Sequence, residues 1–138
     1  MKRALYAAAA TTPVIWDDFA AHARIDSPDE KLVGEAMLAA ATEAAENYCW
    51  SRFVTQTWDA YFDGFVATDL QLPFPPVQSI TAITYVDSAG ATQTLSASVY
   101  ELGDCNGVGI VRTKYGQTWP SCRGHYDDVK IRYACGYG

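Results

Sequence analysis

Positive charge is scarce in this chain of 138 residues: ten Lys and Arg stand against sixteen Asp and Glu, a formal charge of -6. A surface so poor in cations is unsuited to gripping phosphates by counterion release, so nucleic acid passing near it should not be held tightly. Long apolar runs are missing too. No stretch approaches the ~20 residues that a membrane helix needs, and no membrane partner is expected. The signatures of common catalytic sites are also absent, with no G-x-S-x-G, H-E-x-x-H or phosphate-binding P-loop anywhere in the chain.

Only two histidines occur, His22 and His125. The first sits among small residues of a short helical stretch and reads as a surface or structural side chain. The second lies in a polar turn, Arg123-Gly124-His125-Tyr126-Asp127-Asp128, that solvated groups explain equally well. The four cysteines, Cys49, Cys105, Cys122 and Cys135, include no C-x-x-C pair, which argues against a disulfide framework. Cys122 and His125 are three apart and could share an ion with Cys105 and Cys135; the plainer reading is reduced thiols packing as small hydrophobes. Asn106-Gly107-Val108-Gly109 lacks the third glycine of a dinucleotide fingerprint and is followed by a strand where a helix should be. Asp127 and Asp128 have no third oxygen cluster with which to hold a cation. No catalytic residue, metal or cofactor is expected.

Apolar and aromatic residues are plentiful. The 49% hydrophobic content suffices for one core, and the expectation is a single unit over 1–138 with a helical part at about 13–52 and a β part at about 53–138. Met1-Lys2-Arg3 and the alanines after it superficially resemble a secretory leader, but the apolar part is short and mostly alanine, so no export is expected. Trp16, Phe19, Ala20 and Ala23 recur at helical spacing with Asp17 and Asp18 in the first turn, which predicts a short helix over 15–23. Ser27-Pro28-Asp29-Glu30 then reads as a capping box that opens a long helix running to about Trp50. Its inward stripe should be Leu32, Val33, Met37, Ala41, Ala44, Ala45 and Tyr48, with Lys31, Glu35, Thr42, Glu43, Glu46 and Asn47 facing outward. So many alanines let a neighbour approach closely: the first helix, the sheet, or the same helix in another subunit.

Beyond Arg52 the period becomes two. A strand is predicted over Val54–Phe62, broken by Gly64 and Ala67-Thr68-Asp69, with Leu70–Phe74 returning antiparallel to it. Pro73, Pro75 and Pro76 make a stiff extended corner leading into the strongest strand signal, Ser79–Val86. Asp87-Ser88-Ala89-Gly90 supplies a turn, Ala91–Leu95 pairs back, Val99–Leu102 and Ile110–Thr113 flank a loop at Gly103–Gly109, and Val129–Cys135 alternates cleanly. The fold class is α+β: an N-terminal helical hairpin, short helix plus long capped helix, packed with a mostly antiparallel β-sheet. With four Trp, nine Tyr and five Phe, some aromatics must reach the surface, where Trp and Tyr favour protein contacts or stacking on sugars.

Several stretches in succession, His22–Asp26, Val54–Trp58, Leu72–Asp87, Gly90–Leu95, Tyr115–Pro120, Val129–Tyr133 and Gly136-Tyr137-Gly138, resemble the head-tail connector (adaptor, head completion) proteins of long-tailed bacteriophages and related gene transfer agents. The resemblance covers nearly the whole chain in order, although each motif alone is a short structural signature. It implies a structural protein of the virion neck, assembled in the bacterial cytoplasm as a ring, commonly a dodecamer. The portal would sit above it and another neck or tail protein below, with DNA passing through the lumen without specific binding. Members usually continue past such a Gly-Tyr-Gly into a helical segment that helps engage the portal; this sequence ends at Gly138, so no portal-binding residue is named. Subunit contacts are expected at Phe74, Pro75, Tyr115 and Trp119. From the residues alone, a small aromatic-rich β-domain binding carbohydrate or another ligand through Tyr115 and Trp119 is the alternative, and a metal enzyme built on Cys122 and His125 a third.

Overall fold

A computed structural model describes residues 1–65 and 68–138 of the chain. Its elements in order are β1 (Lys2–Ala7), α1 (Trp16–Ala23), a 3-10 turn (Pro28–Glu30), α2 (Lys31–Cys49), β2 (Gln56–Phe62), β3 (Asp69–Gln71), β4 (Val77–Val86), β5 (Thr92–Thr94), β6 (Tyr100–Cys105), β7 (Val108–Thr113) and β8 (Val129–Cys135). One sheet has the order β1-β2-β8-β4-β5 and the other β3-β7-β6, and neighbouring strands run antiparallel. This is the expected α+β class, with one strand ahead of the helices.

β8 is the middle strand of the larger sheet and shows why period-two alternation reads so well. Val129, Ile131, Tyr133 and Cys135 are wholly buried, while Lys130, Arg132 and Ala134 between them are half-buried. Each such apolar side chain contributes roughly 1.5–3 kcal/mol by leaving water. The same buried cluster takes in Ala60 and Ile83 from β2 and β4, and Leu70, Val111 and Tyr100 from the smaller sheet, so both sheets share one core. The Tyr133 hydroxyl donates to the Pro73 carbonyl at 2.9 Å, which ties the proline corner to the middle of the sheet. Burial pushes that phenol's pKa well upward and keeps it a donor.

Several expectations need correction. Lys2–Ala7 is an edge strand against β2, with Lys2 paired to Asp127 at 2.8 Å and Tyr6 beneath the Arg132 guanidinium at 3.3 Å. Leu70 does return antiparallel, but within β3 and against β7, because β2 already has β1 and β8 on its two sides. Ala67, part of the expected break after β2, lies outside the described residues. The proline corner is not uniformly extended: Phe74 has φ 60, a left-handed conformation held by the packing of its ring. Gly103–Gly109 is no open loop, since β6 and β7 continue to a two-residue Asn106-Gly107 turn with φ 55 and 84. Positive φ at both positions is what a right-twisted hairpin favours.

The helices begin differently from expectation as well. Ile15 caps α1 without a side-chain hydrogen bond, and Arg24, at φ 57, ends it. The Ser27 hydroxyl caps nothing. Glu30 instead donates its N–H to the Ser27 carbonyl at 3.4 Å within the 3-10 turn, so α2 starts about one turn later, at Lys31. No described helix is long and apolar enough to cross a membrane.

Candidate assembly surface

α2 stops because Trp50 takes the left-handed conformation (φ 55), and Ser51 then donates its N–H to the Glu46 carbonyl at 3.1 Å. That reversal carries Arg52 back beneath the last turn of the helix. Glu46 Oε1 accepts the Phe53 N–H at 2.8 Å and Oε2 faces Arg52 Nη1 at 3.5 Å; both side chains are buried. The Arg52 guanidinium lies 3.8 Å from the centre of the Phe74 ring and 5.1 Å from that of Trp58. Trp50 and Trp58 pack against Phe74 at 5.1 and 4.7 Å, and Arg3 of β1 stands 4.4 Å from Trp50. One layer of arginines and aromatics therefore fastens the end of α2 to β1, β2 and the proline corner.

This pin sets the rotation of the helix. With Glu46 turned inward, Gly34, Leu38, Thr42 and Ala45 are the partly buried positions, one every three or four residues. Of the stripe expected to face inward, only Ala45 does; the rest faces solvent instead. Leu32 is 80% exposed, Val33 57%, Met37 67% and Tyr48 93%, with Ala41 and Ala44 exposed between them. A helix satisfied by hydrophobic burial within its own chain would be rolled the other way; the polar pin outweighs that preference here and leaves the apolar face without a partner.

α1 covers part of what remains. The Trp16 indole sits over Gly34, where any β-carbon would collide with the ring. Between the helices lies an open cleft of about 500 Å³ lined by Trp16, Phe19, Ile25, Val33, Met37 and Leu38, with Asp29 and Glu30 at its edge. Asp17, Asp18 and Asp26 are also exposed nearby in the sequence, and none of these acids is in an ion pair among the described residues.

The loop from Lys114 to Arg123 hangs at the other side of the larger sheet. Its start is held by Lys114, whose N–H donates to the Val99 carbonyl and whose Nζ donates to the Ala97 carbonyl, both at 2.9 Å. Its end is held by the Asp87–Cys122 bridge and by the Arg123 N–H donating to the Val86 carbonyl at 3.0 Å. Asp128 braces this end, accepting from Arg123 Nη2 and from the His125 N–H at 2.6 Å each. The Arg123 hydrogen bond holds the Asp128 carboxyl below the ordinary carboxylate range against the opposing effect of burial, and the His125 N–H adds to it.

The four expected contact residues do not form one patch. Phe74, 1% exposed, lies in the chain's own core and serves the pin rather than a free surface. Pro75 is half-buried beside it. Trp119 is half-buried with its face stacked on Phe65, ring centres 4.7 Å apart and planes 8° apart, so one stacking face is already taken. Tyr115 alone of the four stands fully exposed. The apolar face of α2 was legible in its periodicity, but the direction it points was not.

Nothing in the described structure assembles the metal set considered from sequence. Cys135 is buried in β8, where burial pushes its thiol up to about 12, and Cys105 is exposed at the end of β6. No group of three or more His, Cys, Asp or Glu comes together among the described residues. Asp127 and Asp128 are taken by Lys2 and Arg123, and His22 is exposed on α1.

No protein-family profile and no curated protein matches the chain. Solved structures do match over all of its length. A chain in the neck of an empty GTA particle computed with C6 symmetry superposes with a TM-score of 0.79 at 22% identity, the match covering 100% of this chain and 72% of that one. This chain shares its fold with a gene-transfer-agent neck chain. Two further matches agree: one in the virion of a native gene transfer agent particle (TM-score 0.76, 22% identity, 100% and 73% covered) and one in the neck of a native GTA particle computed with C12 symmetry (TM-score 0.72, 21% identity, 100% and 71% covered).

Proposed function

We propose that this chain is a non-enzymatic neck protein, one subunit of a ring between the portal of a filled head and the tail. The ring, commonly twelve subunits, would extend the DNA channel and offer a platform to the next neck or tail protein. The observation that carries this reading is the whole-length likeness to chains from necks solved with six- and twelve-fold symmetry. The uncovered apolar face of α2 supports it, because a lone soluble chain rarely leaves such a face to water. The net charge of -6 suits a conduit that must release its cargo.

Electron microscopy of the purified protein mixed with its portal tests the proposal. Rings stacked coaxially on the portal are expected. Persistent monomers with no affinity for the portal would overturn it.

A further inference from the structure

We propose that the ring closes head to tail, with the exposed face of α2 and the adjoining α1–α2 cleft of one copy receiving the Lys114–Trp119 loop of the next. This rests on the ring reading above and adds which surfaces meet. A closed ring of more than two identical chains needs two different patches on each chain, set on opposite flanks. Sheet order supplies the flanks. α2 is pinned at its C-terminal end, to Phe53 just ahead of β2 and through Trp50 to Arg3 of β1, while the loop is held at Val86 and Asp87, where β4 ends, and at Ala97 and Val99, just past β5; β1 and β5 are the two edges of the five-stranded sheet. Four strand spacings, about 19 Å, separate those edges.

The patches also match in chemistry. On the helical flank, Val33, Met37 and Tyr48, with Ala41 and Ala44 between them, expose an apolar strip beside a cleft edged by Asp29 and Glu30. Monomeric proteins seldom leave contiguous apolar surface open beyond a few hundred Å², and such strips mark contact sites. On the loop flank, Tyr115 is fully exposed, with a large ring and a polar tip suited to a contact surface. Beside it, Lys114 is exposed and in no ion pair among the described residues; its Nζ spends one donor on the Ala97 carbonyl and keeps two donors and its charge for the unpaired acids. The occupant of the helical flank is thus a second copy of this chain, presenting an aromatic and basic loop to an apolar and acidic face.

Two single substitutions test the arrangement in the full-length protein. Met37→Asp disables the helix face and leaves the loop intact; Tyr115→Asp does the reverse. Both side chains are exposed, so each variant should keep the circular dichroism spectrum of the parent. If Met37→Asp folds poorly, Val33→Glu, on the same face and lining the same cleft, replaces it. By sedimentation velocity at high protein concentration, the parent is expected to form rings and each variant alone to sediment at the 15.1 kDa protomer mass. Mixed in equal amounts, the variants are expected to form dimers and nothing larger, because each retains one complementary patch and a single junction can form. Rings that persist in either variant, or a mixture that stays monomeric, would overturn the head-to-tail pairing while the ring reading stands. A parent chain that remains monomeric throughout, with its portal added as well, would overturn the ring reading, and this inference with it.

Discussion

Glu46 and Arg52 meet at 3.5 Å beneath the last turn of α2, with side chains only 10% and 7% exposed. Six residues apart in sequence, they are brought together by the left-handed turn at Trp50. Their pairing fixes which side of the helix faces the sheet, and so which side is exposed to solvent. Here a buried polar contact acts as a positioning device: it costs desolvation, and what it contributes is orientation.

Removing one partner should be severe. Glu46→Ala strands the Arg52 charge and leaves the Phe53 N–H without an acceptor, and a loss of about 3–5 kcal/mol is expected from breaking such a buried pair. Glu46→Gln keeps an acceptor for Phe53 and should lose less. Because both partners belong to one network, the Glu46→Ala, Arg52→Ala double variant should lose less than the sum of the singles. Urea unfolding of the parent and these four variants checks this; strictly additive losses would show that the pair is not coupled.

Gly34 is the seat of Trp16, and Gly34→Ala tests whether that contact fixes α1. Alanine favours a helix over glycine by up to ~1 kcal/mol. The new methyl would collide with the indole, and overpacking of that kind costs about 1–3 kcal/mol. A net loss of thermal stability with a changed near-ultraviolet circular dichroism signal is expected. A more stable protein with an unchanged signal would mean that the indole moves aside freely.

Regular burial was the readable part of this chain. β8 alternates in residue type as it does in exposure, and the β4–β5 hairpin has branched strands around an Asp-Ser-Ala-Gly turn, with Asp87 accepting from the Ala89 and Ala91 N–H groups at 2.9 Å. The roll of α2 was not readable, because hydrophobic periodicity identifies an apolar face but not whether its partner lies in the same chain. β1 was hidden because Lys2, Arg3 and alanines carry little strand preference, and an edge strand with five of six residues exposed needs little. The Asn106-Gly107 dipeptide is a strong hairpin signal, obscured in the sequence by Gly103 and Gly109, which make the whole segment read as an open loop. Trp119 looked like a free platform because the stacking partner, Phe65, is 54 residues away and no local pattern connects them.

Acid should release the loop brace. The Arg123 hydrogen bond lowers the Asp128 pKa in the folded chain below its ordinary 3.8, so the folded state binds that proton less readily than the unfolded state. The stabilisation is therefore complete above about pH 5 and is lost as pH falls through 3.8 toward the folded value. Asp87, lowered chiefly by Gln93 and then by the Ala91 N–H, contributes in the same window. Asp128→Asn should be less stable than the parent at pH 7, and the gap should close below pH 4. A gap of constant size from pH 7 to pH 3 would refute the ionic origin of the brace.

The thiols should separate by reactivity. Attack on a disulfide reagent needs the thiolate, and Cys135 is both sealed in the core and pushed up to about 12, whereas Cys49 and Cys105 are exposed. With Ellman's reagent at pH 8, Cys49 and Cys105 are expected to react within the mixing phase. Cys135 should react only at the rate of unfolding, reaching full reactivity in denaturant. Cys49 follows Tyr48 on the last turn of α2, next to the face assigned to the neighbouring subunit. Its labelling should slow in assembled rings while that of Cys105, at the tip of the β6–β7 hairpin, should stay fast. Equal protection of the two on assembly would count against an interface centred on the helix.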